Sequence, residues 1–165
     1  MNISYKNSNT PKNLNQYIKL YNSCFGQNKF ELNYLDWLYN KNPSGQYIGI
    51  ECFDNNNLIG QVGGVPIDFI WKKKKLKIII SINVCVSNNY RGHKLFSKMA
   101  NKFEDHLKKN NFDGIIAIGN KSATPAWIKS INLINLGELE AFLGIGEISD
   151  DNFDSSQSNG EGNSR

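Results

Sequence analysis

The sequence predicts a mixed α/β (α+β) fold, in which helices flank a mostly antiparallel central sheet. Two apolar segments, at 47–53 and 58–71, are separated by the asparagine-rich turn 54–57 and therefore indicate a pair of strands. A third apolar stretch, at 78–86, contains few polar residues, which is typical of a strand covered on both faces. Directly after it, at 95–107, apolar residues recur at helical spacing. This alternation of strands and amphipathic helices indicates one layered domain.

The other elements carry their own start and stop signals. The first helix has an apolar face from Leu14 to Phe25, with Thr10-Pro11 as its start signal and Gly26 as its stop. Glycines and a proline in the longer strand predict a bulge or bend there. The lysine run 72–75 is expected at a solvated hairpin tip. In chain order the expected elements are a strand at 2–6, helices at 14–25 and 32–38, strands at 47–53, 58–71 and 78–86, a helix that opens at 91–94 and ends near 110, a strand at 113–118, a helix at 125–131 and a strand at 139–145.

The junction between the third apolar strand and its helix predicts a binding site for an anion. The turn carries Arg91, Gly92 and Lys94. The first N–H groups of a helix have no intrahelical partner and the helix dipole is positive there, so the backbone attracts phosphate. Cations at a helix start oppose the dipole, which a purely structural role leaves unexplained. A diphosphate would find backbone donors, two positive side chains and a position without a side chain.

The same turn, Arg91-Gly92-His93-Lys94-Leu95-Phe96, resembles the acetyl-CoA loop of the GNAT superfamily of N-acetyltransferases. In that family the loop follows an apolar strand and has the pattern [RQ]-x-x-G-x-[GA]. Arg91 matches the first position, and the lead-in Tyr90-Arg91-Gly92 is typical of the family. Lys94 and Phe96 depart from the pattern, because they stand where it has glycine or alanine.

Two further segments resemble the same family. Asn120-x-x-Ala123-x-x-x-Trp127-x-Lys129 is similar to the family's Asn-x-x-Ala-x-x-x-Tyr-x-Lys segment, although Gly119-Asn120 equally fits the end of a strand. Trp37-x-x-x-x-Asn42-Pro43-x-Gly45 is similar to a bacterial subgroup associated with surface-polysaccharide modification. The resemblance covers roughly residues 1–148, and the order of the expected elements agrees with it.

The resemblance implies an acetyl-CoA-dependent N-acetyltransferase, with acetyl-CoA as co-substrate and no metal. In the family the pantetheine arm lies along the strand before the loop, and one backbone N–H polarises the thioester carbonyl. The implied acceptor is a small-molecule primary amine, such as an amino sugar or a nucleotide sugar. Carried over to this chain, the binding residues are Val84, Cys85 and Val86 for the pantetheine, Arg91, Gly92, His93, Lys94, Leu95 and Phe96 for the diphosphate, and Asn120 for a further pantetheine contact.

The sequence leaves the general acid and base open. Trp127 stands where many relatives present a tyrosine, and an indole N–H is too weak an acid to protonate a thiolate. A carboxylate that some relatives carry would fall at or beside Ile80, on a strand without acidic residues. Asp68, Asp36 and Glu51 stay open as alternatives, as do bound water and positioning alone.

The end of the sequence departs from the family, whose sheet closes with a seventh strand. After 139–145 the chain has only a polar tail rich in Ser, Asn and Gly. This composition predicts a disordered segment at 149–165 and a GNAT-like domain at 1–148. The strand at 139–145 would then be an open sheet edge, which favours association. A truncated family member and an edge completed by a second copy, giving a homo-oligomer, both fit.

Length, charge and cysteine content limit the class of protein. A chain of 165 residues buries one core of ordinary size, and its net charge of +4 favours anionic ligands without requiring nucleic acid. Three cysteines far apart in apolar segments give no disulfide framework, so a reducing cytoplasm is expected. The sequence shows no membrane span, no signal-peptide layout and no metal-ligand spacing. Neither a membrane nor a nucleic-acid partner is therefore expected.

Two functions fit these observations. The first is an N-acetyltransferase that acts on an amine acceptor. The alternative is a GNAT-like module that binds CoA or a protein partner without efficient catalysis. The departures at Lys94, Phe96 and Trp127 and the missing final strand favour it.

Overall fold

The computed structural model describes residues 1–121 and 123–137. Its contacts group Met1–Asn135 into one compact unit, which holds every described element, and Leu136–Arg165 into a second. The predicted strand at 139–145, the predicted tail at 149–165 and the boundary at 148 lie outside the described residues.

The described elements follow the predicted order and confirm the mixed α/β class. The strands are β1 (Ile3–Ser8), β2 (Ile48–Asp54), β3 (Asn57–Trp71), β4 (Lys74–Ser81), β5 (Cys85–Val86) and β6 (Gly114–Ala117). The helices are α1 (Leu14–Phe25), α2 (Leu32–Asn40), α3 (Leu95–Lys109) and α4 (Ala123–Ile131), and a short 3₁₀ turn, Asn88–Tyr90, lies before α3.

The strands form one sheet in the order β1-β2-β3-β4-β6, and β5 pairs with β3 beyond the end of β4. Every pair is antiparallel except β4 with β6, which is parallel. The connection from β4 to β6 passes through α3, as a parallel crossover requires. Among the described strands the sheet is therefore mostly antiparallel, as predicted, with one parallel pair.

The predicted single strand at 78–86 is wrong in one respect, because a bulge divides it into β4 and β5. Ser81 lies opposite Gly64 of β3, whereas Cys85 lies opposite Gln61. Three residues, 82–84, thus oppose two on β3, which defines a β-bulge. Asn83, at its centre, has a left-handed backbone with φ of +51°. From here on, residues 82–84 are called the bulge.

Helices cover both faces of the sheet and create two apolar clusters. On one face the predicted stripe of α3 is buried against the sheet together with Trp127 of α4. On the other face α1 and α2 bury four tyrosines, Tyr17, Tyr21, Tyr39 and Tyr47, here called the tyrosine cluster. Their rings meet edge-on or tilted, with centroids 4.6–6.2 Å apart. The sheet carries a conventional core on one face and a core with phenolic hydroxyls on the other.

Two turns differ in detail from their predicted positions. The helix predicted to open at 91–94 begins at Leu95, because Lys94 has a left-handed φ of +57° that cannot continue a right-handed helix. The tip of the β3–β4 hairpin is Lys72-Lys73, where both residues have positive φ, and the other two lysines of the run already belong to β4.

Candidate functional site

A cleft of about 670 Å³ opens at the end of β4, where the chain passes through the bulge into β5, which pairs with β3 and not with β6. Its walls come from the end of α1 and the loop after it, the bulge, β5, the start of α3, the end of β6 and α4. The lining residues are Phe25, Lys29, Phe30, Ser81, Ile82, Asn83, Val84, Val86, Arg91, Phe96, Ala117, Ile118, Gly119, Asn120, Ala123, Ala126 and Trp127.

One edge of β5 faces this cleft with its backbone. Ser87 N–H donates to the Ile59 carbonyl of β3 at 2.8 Å. Because backbone groups alternate in direction along a strand, the N–H and C=O of Val86 face away from β3. Arg91 Nε donates to that Val86 carbonyl at 3.4 Å. Within the described residues no strand pairs with this edge. An extended ligand with amide groups could therefore add to β5 as a further strand.

The turn before α3 is tied to the rest of the fold at both ends of its 3₁₀ segment. Tyr90 Oη donates to Asp54 Oδ2 at 2.9 Å, and Asn88 Nδ2 donates to the Ser23 carbonyl of α1 at 3.0 Å. The N–H of Asn2 donates to the same Asp54 carboxylate, and these bonds lower the pKa of Asp54. The lead-in Tyr90 thus fixes the position from which the predicted anion loop starts.

The loop itself offers free space and backbone donors. Gly92 has a left-handed φ of +86°, and no atom lies within 4 Å of the position that a Cβ would occupy. Lys94 precedes α3 without a side-chain cap, and the first intrahelical bond of α3 runs from Lys98 N–H to the Lys94 carbonyl. The N–H groups between them have no intrahelical acceptor, which is the usual state of a helix start. This arrangement fits a phosphate group.

The predicted site residues fall into three groups in the structure. Five line the cleft: Val84, Val86, Arg91, Phe96 and Asn120. Cys85 and Leu95 are buried in the two cores, so only their backbones could contact a ligand. Gly92, His93 and Lys94 are exposed in the loop. Asn120 Oδ1 also accepts a hydrogen bond from Ala123 N–H at 2.9 Å, so this residue caps α4 as well as lining the cleft.

The carboxylates left open as catalytic groups all lie outside the cleft lining. Asp68 is largely exposed and pairs with Lys75 at 3.1 Å. Asp36 pairs with Lys41 at 2.5 Å, and Glu51 accepts a hydrogen bond from Tyr17 Oη at 2.6 Å. The cleft lining in the described part of the chain contains no acidic side chain. Its charged groups are the cations of Lys29 and Arg91, which favour an anionic ligand.

Two thiols lie on the α1 side of β5. Cys24 of α1 is half-buried and Cys85 of β5 is buried. A hydrogen bond from the Cys85 thiol, helped by Ser23, lowers the pKa of Cys24 to about 7 against the opposing effect of burial. Donating that bond, together with burial, raises the pKa of Cys85. Cys24 is therefore the more acidic thiol of the pair.

Several residues of the cleft carry no sequence motif. Phe25, Lys29 and Phe30 come from the end of α1 and the loop after it, and nothing in their spacing indicated that they face β5. The bulge was also missed. Its one available signal is Gln61, a polar residue within the otherwise apolar stretch 58–67. Gln61 is fully buried and its amide contacts the bulge directly.

Residues 1–121 and 123–137 contain no group of three His, Cys, Asp or Glu side chains arranged to hold a metal ion. None of the four described helices has the length and apolar composition that a membrane span requires.

A family model described as an acetyltransferase (GNAT) domain matches residues 6–118, which include the bulge, β5 and the turn before α3. No curated protein shows significant sequence similarity to the chain.

Solved structures of acetyltransferases share this fold at low sequence identity. An aminoglycoside acetyltransferase from an uncultured soil metagenomic sample, in complex with trehalose, has a TM-score of 0.68 and 13% identity, covering 88% of this chain and 97% of that one. A predicted acetyltransferase from Clostridium acetobutylicum, solved with acetyl-CoA, has a TM-score of 0.67 and 16% identity over 85% and 96%. Glucosamine-6-phosphate N-acetyltransferase from Arabidopsis thaliana has a TM-score of 0.64 and 10% identity over 86% and 99%.

Proposed function

The chain belongs to the GNAT acetyltransferase family, and from this premise we propose that it transfers an acetyl group from acetyl-CoA to a primary amine. One observation carries the proposal: the free edge of β5 leads directly to the uncapped start of α3, with the Arg91 side chain between them. Pantetheine has amide groups that suit the strand edge, and the CoA diphosphate suits the helix start. A relative solved with acetyl-CoA supports the choice of donor.

The binding residues follow from this arrangement. The pantetheine lies beside Val84, Cys85 and Val86, which contribute backbone groups. The diphosphate lies on the turn formed by Arg91, Gly92, His93, Lys94, Leu95 and Phe96. Asn120, which caps α4 and lines the cleft, makes a further contact to the pantetheine. No metal takes part, because the transfer needs none.

The transfer involves three changes at the reacting atoms. A neutral amine nitrogen attacks the thioester carbon, the C–S bond breaks, and the thiolate leaves with a proton that originates on the amine. Holding the amine and the thioester in attack geometry supplies roughly 7 kcal/mol or more of the barrier. A missing general acid costs about a hundredfold to ten-thousandfold, a smaller effect. Positioning in the cleft therefore supports slow but real transfer, with the proton coming from water or from the ammonium group that forms when the amine nitrogen has bonded to the thioester carbon.

The acceptor that we propose is an amino sugar, free or carried on a nucleotide. Relatives of the same fold are named for aminoglycosides and for glucosamine-6-phosphate, which are amino sugars. In the cleft, Phe25 and Phe30 offer apolar rings to a sugar, and Lys29 offers a cation to a phosphate. We place this chemistry in the cytoplasm, where acetyl-CoA is available and free thiols such as Cys24 stay reduced. Neither nucleic acid nor a membrane is needed as a partner.

A second candidate function is a module that binds CoA without efficient transfer. The specific observation in its favour is the contact between Phe96 and Trp127, which fills the wall where relatives have a small residue and a tyrosine. The predicted domain at 1–148 with an open sheet edge would then serve assembly, for example with a second copy of the chain.

The test combines binding and turnover. We expect calorimetry to detect acetyl-CoA binding, and incubation with a panel of amino sugars, nucleotide amino sugars and aminoglycosides to release the CoA thiol. Mass spectrometry should then identify the acetylated amine. If the protein binds acetyl-CoA and no amine in the panel is acetylated, the binding-module function replaces the enzyme.

A further inference from the structure

We propose that Gln61 is a positioning residue of this site, which holds the bulge so that the backbone N–H of Val84 points into the cleft and donates to the carbonyl oxygen of an acyl thioester. The inference rests on the proposed function and adds a residue that lies on β3, outside every motif.

Both polar atoms of the Gln61 side-chain amide form hydrogen bonds. The side chain is fully buried. Its Oε1 accepts a hydrogen bond from Tyr47 Oη at 2.5 Å, and its Nε2 donates to Tyr21 Oη at 3.1 Å. The same Nε2 donates to two bulge carbonyls, that of Asn83 and, at 3.5 Å, that of Ile82. Since a buried polar group is costly without partners, this amide and the bulge carbonyls depend on each other.

The geometry of the peptide bond, together with these contacts, determines the direction in which the Val84 N–H points. The described peptide bonds are all trans, and a planar trans peptide points its N–H opposite to its C=O. The Asn83 carbonyl and the Val84 N–H belong to one peptide unit. Because Gln61 holds the carbonyl inward, the N–H points outward. Val84 lines the cleft, so its N–H is aimed at the space where the proposed thioester lies.

A second contact closes the network around the bulge. Asn83 Nδ2 donates to Tyr39 Oη at 2.9 Å, and the hydroxyls of Tyr39 and Tyr21 are 2.6 Å apart. Gln61, Tyr21, Tyr39 and Asn83 thus form a closed ring of hydrogen bonds. A ring of this kind fixes Asn83 in its left-handed conformation, which costs free energy for a residue other than glycine. The tyrosine cluster therefore supports the acyl-binding backbone from the opposite face of the sheet.

The test compares two ligands that differ at the carbonyl. Acetyl-CoA and S-ethyl-CoA have acyl and alkyl groups of similar size, but the thioether cannot accept a hydrogen bond. The wild-type protein should bind acetyl-CoA more tightly by about two- to tenfold, the value of one hydrogen bond. Gln61→Met should reduce that preference to about onefold and leave the affinity for S-ethyl-CoA unchanged. Both affinities are measured by calorimetry.

Tyr17→Phe is the matched control, because Tyr17 belongs to the same buried cluster but bonds Glu51 and not the bulge. The Tyr17→Phe variant should retain the preference for acetyl-CoA over S-ethyl-CoA, even if it is less stable than the wild-type protein. A second pair keeps the test valid if Gln61→Met does not fold. Valine disfavours the left-handed backbone, so Asn83→Val should lose the preference for acetyl-CoA over S-ethyl-CoA. Glycine permits that backbone, so Asn83→Gly should retain more of this preference than Asn83→Val does.

The outcomes separate the two proposals. A folded Gln61→Met or Asn83→Val variant with the full wild-type preference would overturn the role of Gln61, and so would a wild-type protein that binds both ligands equally. A wild-type preference that Gln61→Met abolishes supports that role even if no amine is ever acetylated, in which case only the enzymatic function fails. Binding of neither ligand overturns both.

Discussion

Phe96 of α3 packs edge-on against Trp127 of α4, with ring centroids 5.1 Å apart and ring planes at 85°. These are two of the positions at which the chain departs from the pattern of its family. The first stands where the loop pattern has glycine or alanine, and the second where many relatives have tyrosine. Because the two aromatic side chains contact each other in the cleft wall, we interpret the departures as one coupled change.

The coupling can be measured in a double-mutant cycle. Phe96→Ala and Trp127→Leu should show an interaction free energy of about 0.5–1.5 kcal/mol in urea unfolding, since edge-on aromatic pairs contribute that amount beyond their buried area. Phe96→Ala combined with Tyr17→Phe, which lies in the opposite core, should be additive. Strict additivity of the first pair would show that the two positions changed independently.

A second substitution at this position, Trp127→Tyr, tests which group protonates the departing thiolate. A phenol at this position can donate to the departing thiolate, whereas the indole cannot, so the rate of acetyl transfer should rise by about a hundredfold. The measurement is release of the CoA thiol with the acceptor that the panel identifies. An unchanged or lower rate, with folding and acetyl-CoA binding intact, would mean that position 127 is not the proton donor in this protein.

Lys94 occupies a left-handed conformation at the start of α3. That conformation costs a lysine about 1–2 kcal/mol, and glycine avoids the cost but loses about 0.5–1 kcal/mol through its more flexible unfolded state. Lys94→Gly should therefore leave the free energy of unfolding unchanged or raise it slightly. Lys98→Gly, an exposed lysine within α3, is the control and should cost about 1 kcal/mol. An equal loss at both positions would contradict the strain at Lys94.

The acidity of Cys24 predicts its reactivity. With a pKa of about 7 against an ordinary value of 9.0, half of this thiol is ionised near neutral pH, so alkylation by iodoacetamide should accelerate as the pH rises through 7. Burial raises the pKa of Cys52 to about 11, and Cys85 is also buried with a raised pKa, so both should react slowly. Cys85→Ala removes the hydrogen bond and should move the midpoint for Cys24 upward. A midpoint that stays near 7 in this variant would exclude Cys85 as the cause.

Local patterns in the sequence predicted the elements, and non-local contacts set the details that shape the site. The buried residues of α3 follow a period that a short window reveals, and Leu95, Met99, Phe103 and Leu107 are all buried. The break between β4 and β5 depends instead on Gln61, more than twenty residues earlier in the chain. No window around 78–86 contains that contact, which explains why one continuous strand was expected.

The same distinction between local patterns and non-local contacts applies to the residues of the candidate site. Val84, Val86 and Arg91 belong to a strand-turn-helix unit that is contiguous in sequence, so the motif placed them at the cleft. Lys29 and Phe30 reach the cleft only because α1 packs across the sheet, and their loop has no signature of its own. The general acid could not be predicted, since the described cleft lining contains no acidic side chain.

The most direct test of the proposed acetyl-CoA site is calorimetric titration of acetyl-CoA into the wild-type protein and two double variants of equal charge change. Arg91→Glu with Lys94→Glu reverses the charges at the start of α3, and Lys73→Glu with Lys74→Glu makes the same reversal at the β3–β4 hairpin. We predict that the first variant loses acetyl-CoA binding and thermal stabilisation by CoA, whereas the second retains both. Undiminished binding in a folded Arg91→Glu, Lys94→Glu protein would contradict the site.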